Sequence, residues 1–228
     1  MKAYALLGGP EEEWPQNIKN DFALAQQKND LLIGVDRGSL LLEEMGLIPD
    51  LAIGDFDSLE KSELAKIDSS VPDIRYSSPI KDATDSELMV KIAFEDYHVD
   101  SLTVLGATGG RIDHFLINLF MILNPKINKY AEKITLLDKQ NLLNFYIPGQ
   151  HVINRKAGYN YVGVADLSGV KDLNIEGARY ELANYSNSYP LIFGSNEFLP
   201  DKDTFEISFK KGTVAIIYSK DINRFHNI

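Results

Sequence analysis

The stretch LLIGVDRGSLLLEEMGLIPDLAIGDFDS, residues 31–58, indicates the fold of the first half of the chain. It combines an apolar strand at 31–35, a short helix at 39–46 and a second apolar strand at 51–53. This order is the repeating unit of a parallel sheet, whose strands are apolar because helices cover both faces. Asp36 follows the first strand directly, and GDFDS follows the second. We therefore expect acidic side chains at the carboxyl edge of a parallel sheet.

The alternation of strands and helices extends on both sides of this stretch, up to about residue 125. Further strands are predicted at 4–9, 73–78 and 101–106. Further helices are predicted at 14–29 and 85–98, and the stretch 109–123 is predicted to be glycines followed by a helix. From about residue 133 the pattern changes to short β-like stretches separated by Gly, Asn and Pro. KITLLD at this boundary remains a candidate for the last strand of the first sheet.

These patterns predict two domains. Residues 1–140 form an α/β domain, Rossmann-like, with a mostly parallel sheet and flanking helices. Residues 141–228 form a smaller antiparallel, β-sandwich-like domain.

Composition narrows the function classes. The chain has 228 residues and a formal net charge of −10, so a nucleic-acid partner is disfavoured. It contains no cysteine, which excludes disulfides, thiolate zinc sites and a cysteine nucleophile. We find no apolar run long enough to span a membrane and no signal-peptide pattern, and we expect a cytoplasmic protein.

The acidic residues fall where open α/β sheets bind ligands, beyond the carboxyl ends of the strands. Asp36, Asp55 and Asp57 follow two strands, and KDATD adds Asp82 and Asp85 before the next helix. Carboxylates bind a polyphosphate through Mg²⁺, which takes one or two carboxylates and keeps phosphate oxygens and waters as other ligands. The pattern therefore predicts a magnesium-dependent phosphoryl-type transfer.

Each acidic motif also has a purely structural interpretation. Asp57 fits the N-cap of the helix in LEKSELAKI, with Glu60 three residues later, although this leaves Asp55 unexplained. Thr84 and Glu87 fit a capping box.

A glycine-rich segment, TGGRIDH, follows the strand at 101–106. Paired glycines before a helix let backbone N–H groups approach an anion, and an arginine adds a bidentate phosphate clamp. His114 has two interpretations, a role in the site or packing within the helix. The segment predicts phosphate binding by Thr108, Gly109, Gly110 and Arg111, with Asp113 nearby.

Together these motifs resemble the thiamine pyrophosphokinase family, in the family's order and over most of the chain. The matching stretches are GVDRG (34–38), GLIPDLAIGDFDSL (46–59), KDATDSE (81–87), GATGGRIDHFLINL (106–119), EGARYEL (176–182) and GSNEF (194–198).

The resemblance implies transfer of a pyrophosphoryl group from ATP to the hydroxyethyl arm of thiamine, giving thiamine diphosphate and AMP. It implies Mg²⁺ as cofactor and a homodimer in which thiamine lies between the α/β domain of one subunit and the β domain of the other. Asp55, Asp57 and Asp82 match the metal-binding acids. The implied catalytic residues are these three with Asp85, Arg111 and Asp113, and the implied substrate-binding residues are Asp36, Thr108, Gly109, Gly110, Arg111, His114, Ser195 and Asn196.

The chain departs from the family at two points. Arg37 stands where many members have a second glycine, and two interpretations remain open, phosphate binding or exposure to solvent. The tryptophan that animal members place near thiamine has no match, since Trp14 is N-terminal; Phe198 is an alternative stacking residue. Without the resemblance, Ser195 and Asn196 read as a turn between strands.

Two other functions are compatible with parts of the sequence. DFD resembles the D-x-D pair of a magnesium-dependent phosphatase, although Gly54 separates it from its strand. A non-catalytic nucleotide sensor is the other alternative. AMP formation that depends on thiamine distinguishes both from the transferase.

Overall fold

The computed structural model of the protein describes residues 1–57, 59–77 and 84–220. The chain divides into two compact units, with the boundary between Lys139 and Gln140. No helix in these described ranges is long and apolar enough to cross a membrane.

The first unit contains a six-stranded parallel sheet in the order β6-β5-β1-β2-β3-β4. The strands at 31–35 and 51–54 are buried at every position and contain only apolar residues and glycine, since both faces of the sheet are covered. The strands are β1 (Lys2–Leu6), β2 (Leu31–Val35), β3 (Leu51–Gly54), β4 (Asp73–Tyr76), β5 (Ser101–Leu105) and β6 (Ile134–Leu137).

Helices connect these strands and supply the apolar side chains that cover the sheet. They are α1 (Ile18–Gln27), α2 (Arg37–Glu44), α3 (Lys61–Ser70), α4 (Asp85–Glu95), α5 (Ile112–Phe120) and α6 (Pro125–Asn128). One core cluster joins Phe22 of α1 and Leu42 of α2 to Leu6 and Leu32 of the sheet. The α/β class predicted from sequence is confirmed, and KITLLD does form the last strand of the parallel sheet.

The second unit consists of two antiparallel sheets, β12-β9-β14-β7 and β11-β10-β13-β8. Side chains from both sheets, including Ile153, Val164, Phe205 and Tyr218, share one buried core. The strands are β7 (Asn141–Tyr146), β8 (Gly149–Asn154), β9 (Tyr161–Asp166), β10 (Leu173–Glu176), β11 (Leu182–Tyr185), β12 (Leu191–Asn196), β13 (Thr204–Phe209) and β14 (Val214–Ser219).

Two glycines of α2 and β2 bring helix and sheet together. A Cβ at Gly38 would lie 1.9 Å from the Leu6 carbonyl oxygen, and a Cβ at Gly34 would lie 2.5 Å from Ser39. Any larger residue at either position would push α2 away from the sheet. This close packing fixes the residues between them, Asp36 and Arg37, at the carboxyl edge of the sheet.

Candidate active site

A cavity of about 630 Å³ lies in the first unit, beyond the carboxyl ends of its strands. This is the location at which open parallel sheets bind ligands. Acidic, basic and glycine residues from several loops contribute to its wall. They are Gly8, Gly9, Asp36, Arg37, Asp57, Thr84, Asp85, Thr108, Gly110, Arg111 and His114.

Asp36 is a cavity carboxylate whose pKa is raised. Its backbone takes the unusual angles φ 48° and ψ −122° at the N-cap of α2, and its N–H donates to the Ile53 carbonyl at 2.8 Å. Within the described residues its buried Oδ1 has no hydrogen-bond partner. Burial and then the charges of Asp85 and Asp55 raise the pKa of Asp36 to about 6. A cation at this position would stabilise the ionised carboxylate.

Gly54 makes room for this carboxylate. A Cβ at Gly54 would lie 1.8 Å from Oδ1 of Asp36. The glycine that separates the strand from the DFD sequence therefore has a steric function. It lets Asp36 and the following acidic loop share one site.

The loop after β3 is anchored by its apolar residue. Phe56 is buried, has a φ of 55°, and packs edge to face on Tyr76 with the ring centroids 5.5 Å apart. Asp57 donates its backbone N–H to Oδ1 of Asp55 at 3.1 Å, which forms a tight turn. Asp57 lines the cavity, whereas Asp55 is not among the lining residues but is close enough to raise the pKa of Asp36.

The interpretation of Asp57 as the N-cap of the following helix is wrong. The N-cap of α3 is Glu60, which forms a capping box with Glu63, so the helix begins after the position that the pattern suggested. Glutamate replaces the usual short capping side chain here, and this hid the true helix start. Asp57 is thus available for another role.

The capping box predicted for α4 is confirmed. The Thr84 side chain accepts from the Glu87 N–H at 3.2 Å, and the Glu87 side chain accepts from the Thr84 N–H at 3.1 Å. The box holds Asp85 in the first turn of α4, where it lines the cavity. Asp82, the third predicted metal ligand, lies outside the described residues.

The glycine-rich loop after β5 is held by its surroundings on two sides. The hydroxyl of Thr108 donates to Oδ2 of Asp138 at 2.9 Å, and Asp138 is buried. The Gly9 N–H donates to the Gly106 carbonyl at 2.9 Å, and the indole N–H of Trp14 donates to the Gly9 carbonyl at 3.2 Å. The loop therefore has a fixed conformation against the segment that follows β1.

Gly109 has a φ of 80°, and a Cβ there would lie 2.3 Å from the Glu13 side chain, so this position requires glycine. Gly110 lines the cavity, while Gly109 faces Glu13 and Pro10. As predicted, the helix of this segment follows the glycines, and it begins at Ile112.

Arg111 and Asp113 are paired with each other at the mouth of the cavity. Nε and Nη2 of Arg111 donate to the two carboxylate oxygens of Asp113 at 3.1 and 2.5 Å. This contact lowers the pKa of Asp113 and raises that of Arg111. Both side chains are exposed, and Arg111 lines the cavity. The guanidinium fork is therefore occupied by a carboxylate in the structure, in the geometry in which it would hold a phosphate.

Several cavity residues were not assigned from the sequence. Gly8 and Gly9 follow β1, and for Arg37 the sequence leaves two interpretations open. The buried Asn118 of α5 accepts from the Ser86 hydroxyl at 2.7 Å and so connects α5 to α4. The signal for Gly8 and Gly9 is present in the sequence, since a pair of glycines closes the stretch predicted as the first strand, 4–9.

Ser195 and Asn196 lie in the second unit, in the last residues of β12. The interpretation as a turn is wrong, because β12 pairs with β9 through an irregularity in register between Phe193 and Asn196. Ser195 has a φ of 58° at this irregularity and is exposed. Asn196 is buried, and its amide group bonds to both the N–H and the carbonyl of Tyr180, at 2.9 and 2.8 Å. Asn196 thus holds a neighbouring loop, while Ser195 is free to face solvent.

The donor set of the first unit suits Mg²⁺. Within residues 1–57, 59–77 and 84–220, no three acidic or histidine side chains are assembled at metal-ligand spacing. Mg²⁺ needs only one or two carboxylates when phosphate oxygens and waters complete its shell. The unpartnered Oδ1 of Asp36 and the acids around it carry the oxygen donors and negative charge that such an ion requires.

Two family models match the chain. The model described as thiamin pyrophosphokinase, catalytic domain, matches residues 22–136, and the one described as thiamin pyrophosphokinase, vitamin B1 binding domain, matches residues 150–214. The chain is 34% identical to a thiamine pyrophosphokinase of Bacillus subtilis over 223 residues, which cover 97% of this chain and 100% of the relative.

Solved structures give the same grouping. A thiamin pyrophosphokinase family protein from Enterococcus faecalis superimposes with a TM-score of 0.86 at 32% identity, covering 97% of this chain and 100% of the other. A yeast thiamin pyrophosphokinase superimposes with a TM-score of 0.72, covering 98% and 87% of the two chains. At 14% identity, the yeast structure supports the fold alone.

Proposed function

Because the chain belongs to the thiamin pyrophosphokinase family, we propose that its cavity transfers a pyrophosphoryl group from ATP to thiamine, giving thiamine diphosphate and AMP. One observation carries the assignment to this cavity. One cavity at the carboxyl edge of the parallel sheet is lined both by the carboxylates of Asp36, Asp57 and Asp85 and by the guanidinium groups of Arg37 and Arg111. Acids suit a metal ion, and arginines suit phosphate oxygens.

Asp55, Asp57 and Asp82 are the proposed Mg²⁺ ligands. When bound, the ion would neutralise phosphate charge and align the polyphosphate for in-line transfer. The turn between Asp55 and Asp57, fixed by the buried Phe56, presents the two carboxylates on one loop. Asp36 lies close to this loop, and its carboxylate adds to the negative charge of Asp55 and Asp57.

The remaining cavity residues bind and orient the substrates. Arg111 would exchange its contact with Asp113 for phosphate oxygens that gain charge during transfer. The exchange frees Asp113, and either Asp113 or Asp85 would accept the proton of the attacking hydroxyl. Thr108, Gly109 and Gly110 form the loop on the nucleotide side, and His114 lines the same wall.

We place thiamine recognition partly in the second unit. Residues 150–214, which match the vitamin B1 binding domain, contain both Ser195 and Asn196. The exposed hydroxyl of Ser195 is the proposed contact, and Asn196 shapes the adjoining loop through Tyr180. The negative charge of the cavity also favours the cationic thiazolium ring.

A homodimer is part of this proposal. Helix α5 exposes an apolar face made of Ile112, Leu116, Ile117 and Phe120, and Ile112 is 74% exposed. Ile117 also lines the cavity, so a second copy covering this face would border the site. Leu116→Glu should shift the protein to monomers in light scattering, while Leu24→Glu, on the exposed side of α1, should not.

We also place the protein in the cytoplasm. It contains no cysteine and so needs no oxidising compartment. Its substrate ATP is abundant there.

The reaction is tested by incubating the purified protein with ATP, Mg²⁺ and thiamine and separating the nucleotides and thiamine compounds by chromatography. AMP and thiamine diphosphate should appear together, and both should vanish without thiamine or with EDTA. ADP or inorganic phosphate in their place would favour the phosphatase, and ATP binding without turnover would favour the sensor. The comparisons with known proteins support neither alternative.

A further inference from the structure

We propose that Arg37 binds a phosphate group of ATP and is a determinant of nucleotide affinity in this chain. The inference rests on the proposed function, because it assigns a substrate contact within the same cavity. Of the two interpretations that the sequence leaves open for this exposed residue, it favours phosphate binding.

Arg37 is positioned by the packing around it. It is the first residue of α2, and the helix is pressed onto the end of β1 because Gly38 contacts the Leu6 carbonyl. On the other side, a Cβ at Gly8 would lie 3.3 Å from the Cβ of Arg37. Glycine at position 8 therefore leaves room for the aliphatic part of the Arg37 side chain, and Arg37 lines the cavity.

The guanidinium of Arg37 is available to a ligand. Across the described ranges it has no ion pair or hydrogen bond with a protein group, although Asp36, Asp57 and Asp85 line the same cavity. Arg111 differs, because it already holds both oxygens of Asp113. Of these two arginines, Arg37 is therefore the one that can bind phosphate without first breaking an existing contact.

The charge of the substrates indicates which of them Arg37 contacts. The polyphosphate of ATP carries more negative charge than a single Mg²⁺ neutralises, so a further cation in the cavity is favourable. Thiamine carries a cationic thiazolium, which an adjacent guanidinium would repel. Five N–H donors in a planar fork fit two phosphate oxygens, which favours phosphate over other parts of the nucleotide.

The test compares Arg37→Gln and Arg37→Lys with Arg75→Gln, which removes an exposed arginine of the same unit that is held by Asp73 and does not line the cavity. ATP and adenosine binding are measured by calorimetry, with Mg²⁺ and with EDTA, in the absence of thiamine. Steady-state KM values for ATP and thiamine are then measured on the same proteins.

Arg37→Gln should raise the Kd of ATP on the order of 10- to 100-fold, the range for losing a hydrogen bond to a charged group. Arg37→Lys should recover part of this loss, because it keeps the charge but not the fork. Adenosine affinity, the KM of thiamine and the behaviour of Arg75→Gln should stay within about twofold of wild type.

Unchanged ATP affinity in Arg37→Gln, or equal weakening of ATP and adenosine, would overturn the proposal. The ATP affinity is read without thiamine, so it reports on Arg37 even if wild type forms no thiamine diphosphate. The absence of thiamine diphosphate would overturn the proposed function and leave the proposal for Arg37 standing or falling on the ATP affinity. If Arg37→Gln has a lowered unfolding midpoint, the test relies on Arg37→Lys. If Arg37→Lys then binds both ATP and adenosine as tightly as wild type, the bidentate contact is overturned.

Discussion

Asp36 and Asp166, one in each unit, are both carboxylates with a buried oxygen that lacks a partner among the described residues. Burial raises the pKa of both. They differ in their neighbours. Asp36 accepts one backbone hydrogen bond, from Phe56, which lowers its pKa, but it lies close to Asp85, Asp55 and Asp57, whose charges raise the pKa further. Asp166 accepts the backbone N–H groups of Ser168 and Gly169 at 3.0 and 2.7 Å, and these oppose the rise.

The difference separates the proposed ligand site around Asp36 from the structural turn around Asp166. The N–H groups around Asp166 bind its carboxylate within the protein and shape the turn after β9. The acids around Asp36 add to its negative charge, and the described residues supply no compensating partner for its Oδ1. Burial and a raised pKa are therefore insufficient to identify a functional carboxylate, and the charge of its neighbours is the more informative observation.

The largest effect is expected from removing one acid near Asp36. Asp57→Asn should lower kcat by roughly 10²-fold or more, the order measured for one electrostatic contact in an active site. Thiamine-dependent AMP formation measures it. The exposed Asp21 of α1 is the matched control, since Asp21→Asn removes the same charge outside the cavity. Turnover close to wild type in Asp57→Asn would exclude Asp57 from the proposed metal site.

A smaller effect is expected at the structural carboxylate. Asp166→Ala should lower the free energy of unfolding by about 2 kcal/mol, because the backbone N–H groups of Ser168 and of the buried Gly169 lose a charged acceptor. Urea denaturation measures the change. Asp166→Asn keeps one acceptor oxygen and should lose less. If Asp166→Ala were as stable as wild type, the N–H groups would not be what holds this turn.

Removing the charge of Asp36 is expected to stabilise the protein, whereas removing that of Asp166 destabilises it. In EDTA near neutral pH, Asp36→Asn should raise the free energy of unfolding by about 1 kcal/mol, because the amide removes a buried charge from among three acids. Urea denaturation with and without Mg²⁺ measures it, with Asp21→Asn again as control. A destabilised Asp36→Asn protein would show that the carboxylate is compensated in the folded state.

The smallest effect concerns pH at Asp166. A raised folded pKa means that its contribution to stability is fully present below the ordinary value of 3.8 and is lost as pH rises through the folded value. The stability of Asp166→Asn relative to wild type should therefore increase as the pH rises from 3.8 through the raised folded pKa, by less than about 1 kcal/mol. A relative stability that decreases over this range would mean that the N–H groups, rather than burial, dominate the pKa.

The parallel sheet could be predicted because its signal is local. The run LLIGV at 31–35 is apolar throughout and coincides with β2 residue for residue. The β12 strand was harder, because its end at Ser195 and Asn196 is polar, and a positive φ at Ser195 interrupts the alternation. A pattern based on alternating apolar residues cannot distinguish such an irregular strand from a turn.

The site was predictable as a set of loops, and the partners of its side chains were not. Sequence order placed Asp36, Asp57, Asp85 and Arg111 on one edge of the sheet, and the structure brings all of them to one cavity. The pairing of Arg111 with Asp113 and the free guanidinium of Arg37 depend on side-chain directions in three dimensions. No spacing along the chain contains that information.

Trp14 gives the molecule an optical property. It is the only tryptophan in the chain, and its indole N–H donates to the carbonyl of Gly9, a residue of the cavity wall. Indole fluorescence depends on the polarity and hydrogen bonding around the ring. A ligand that displaces the Gly9 segment therefore changes the emission of a single chromophore, and its binding can be followed in real time without a label.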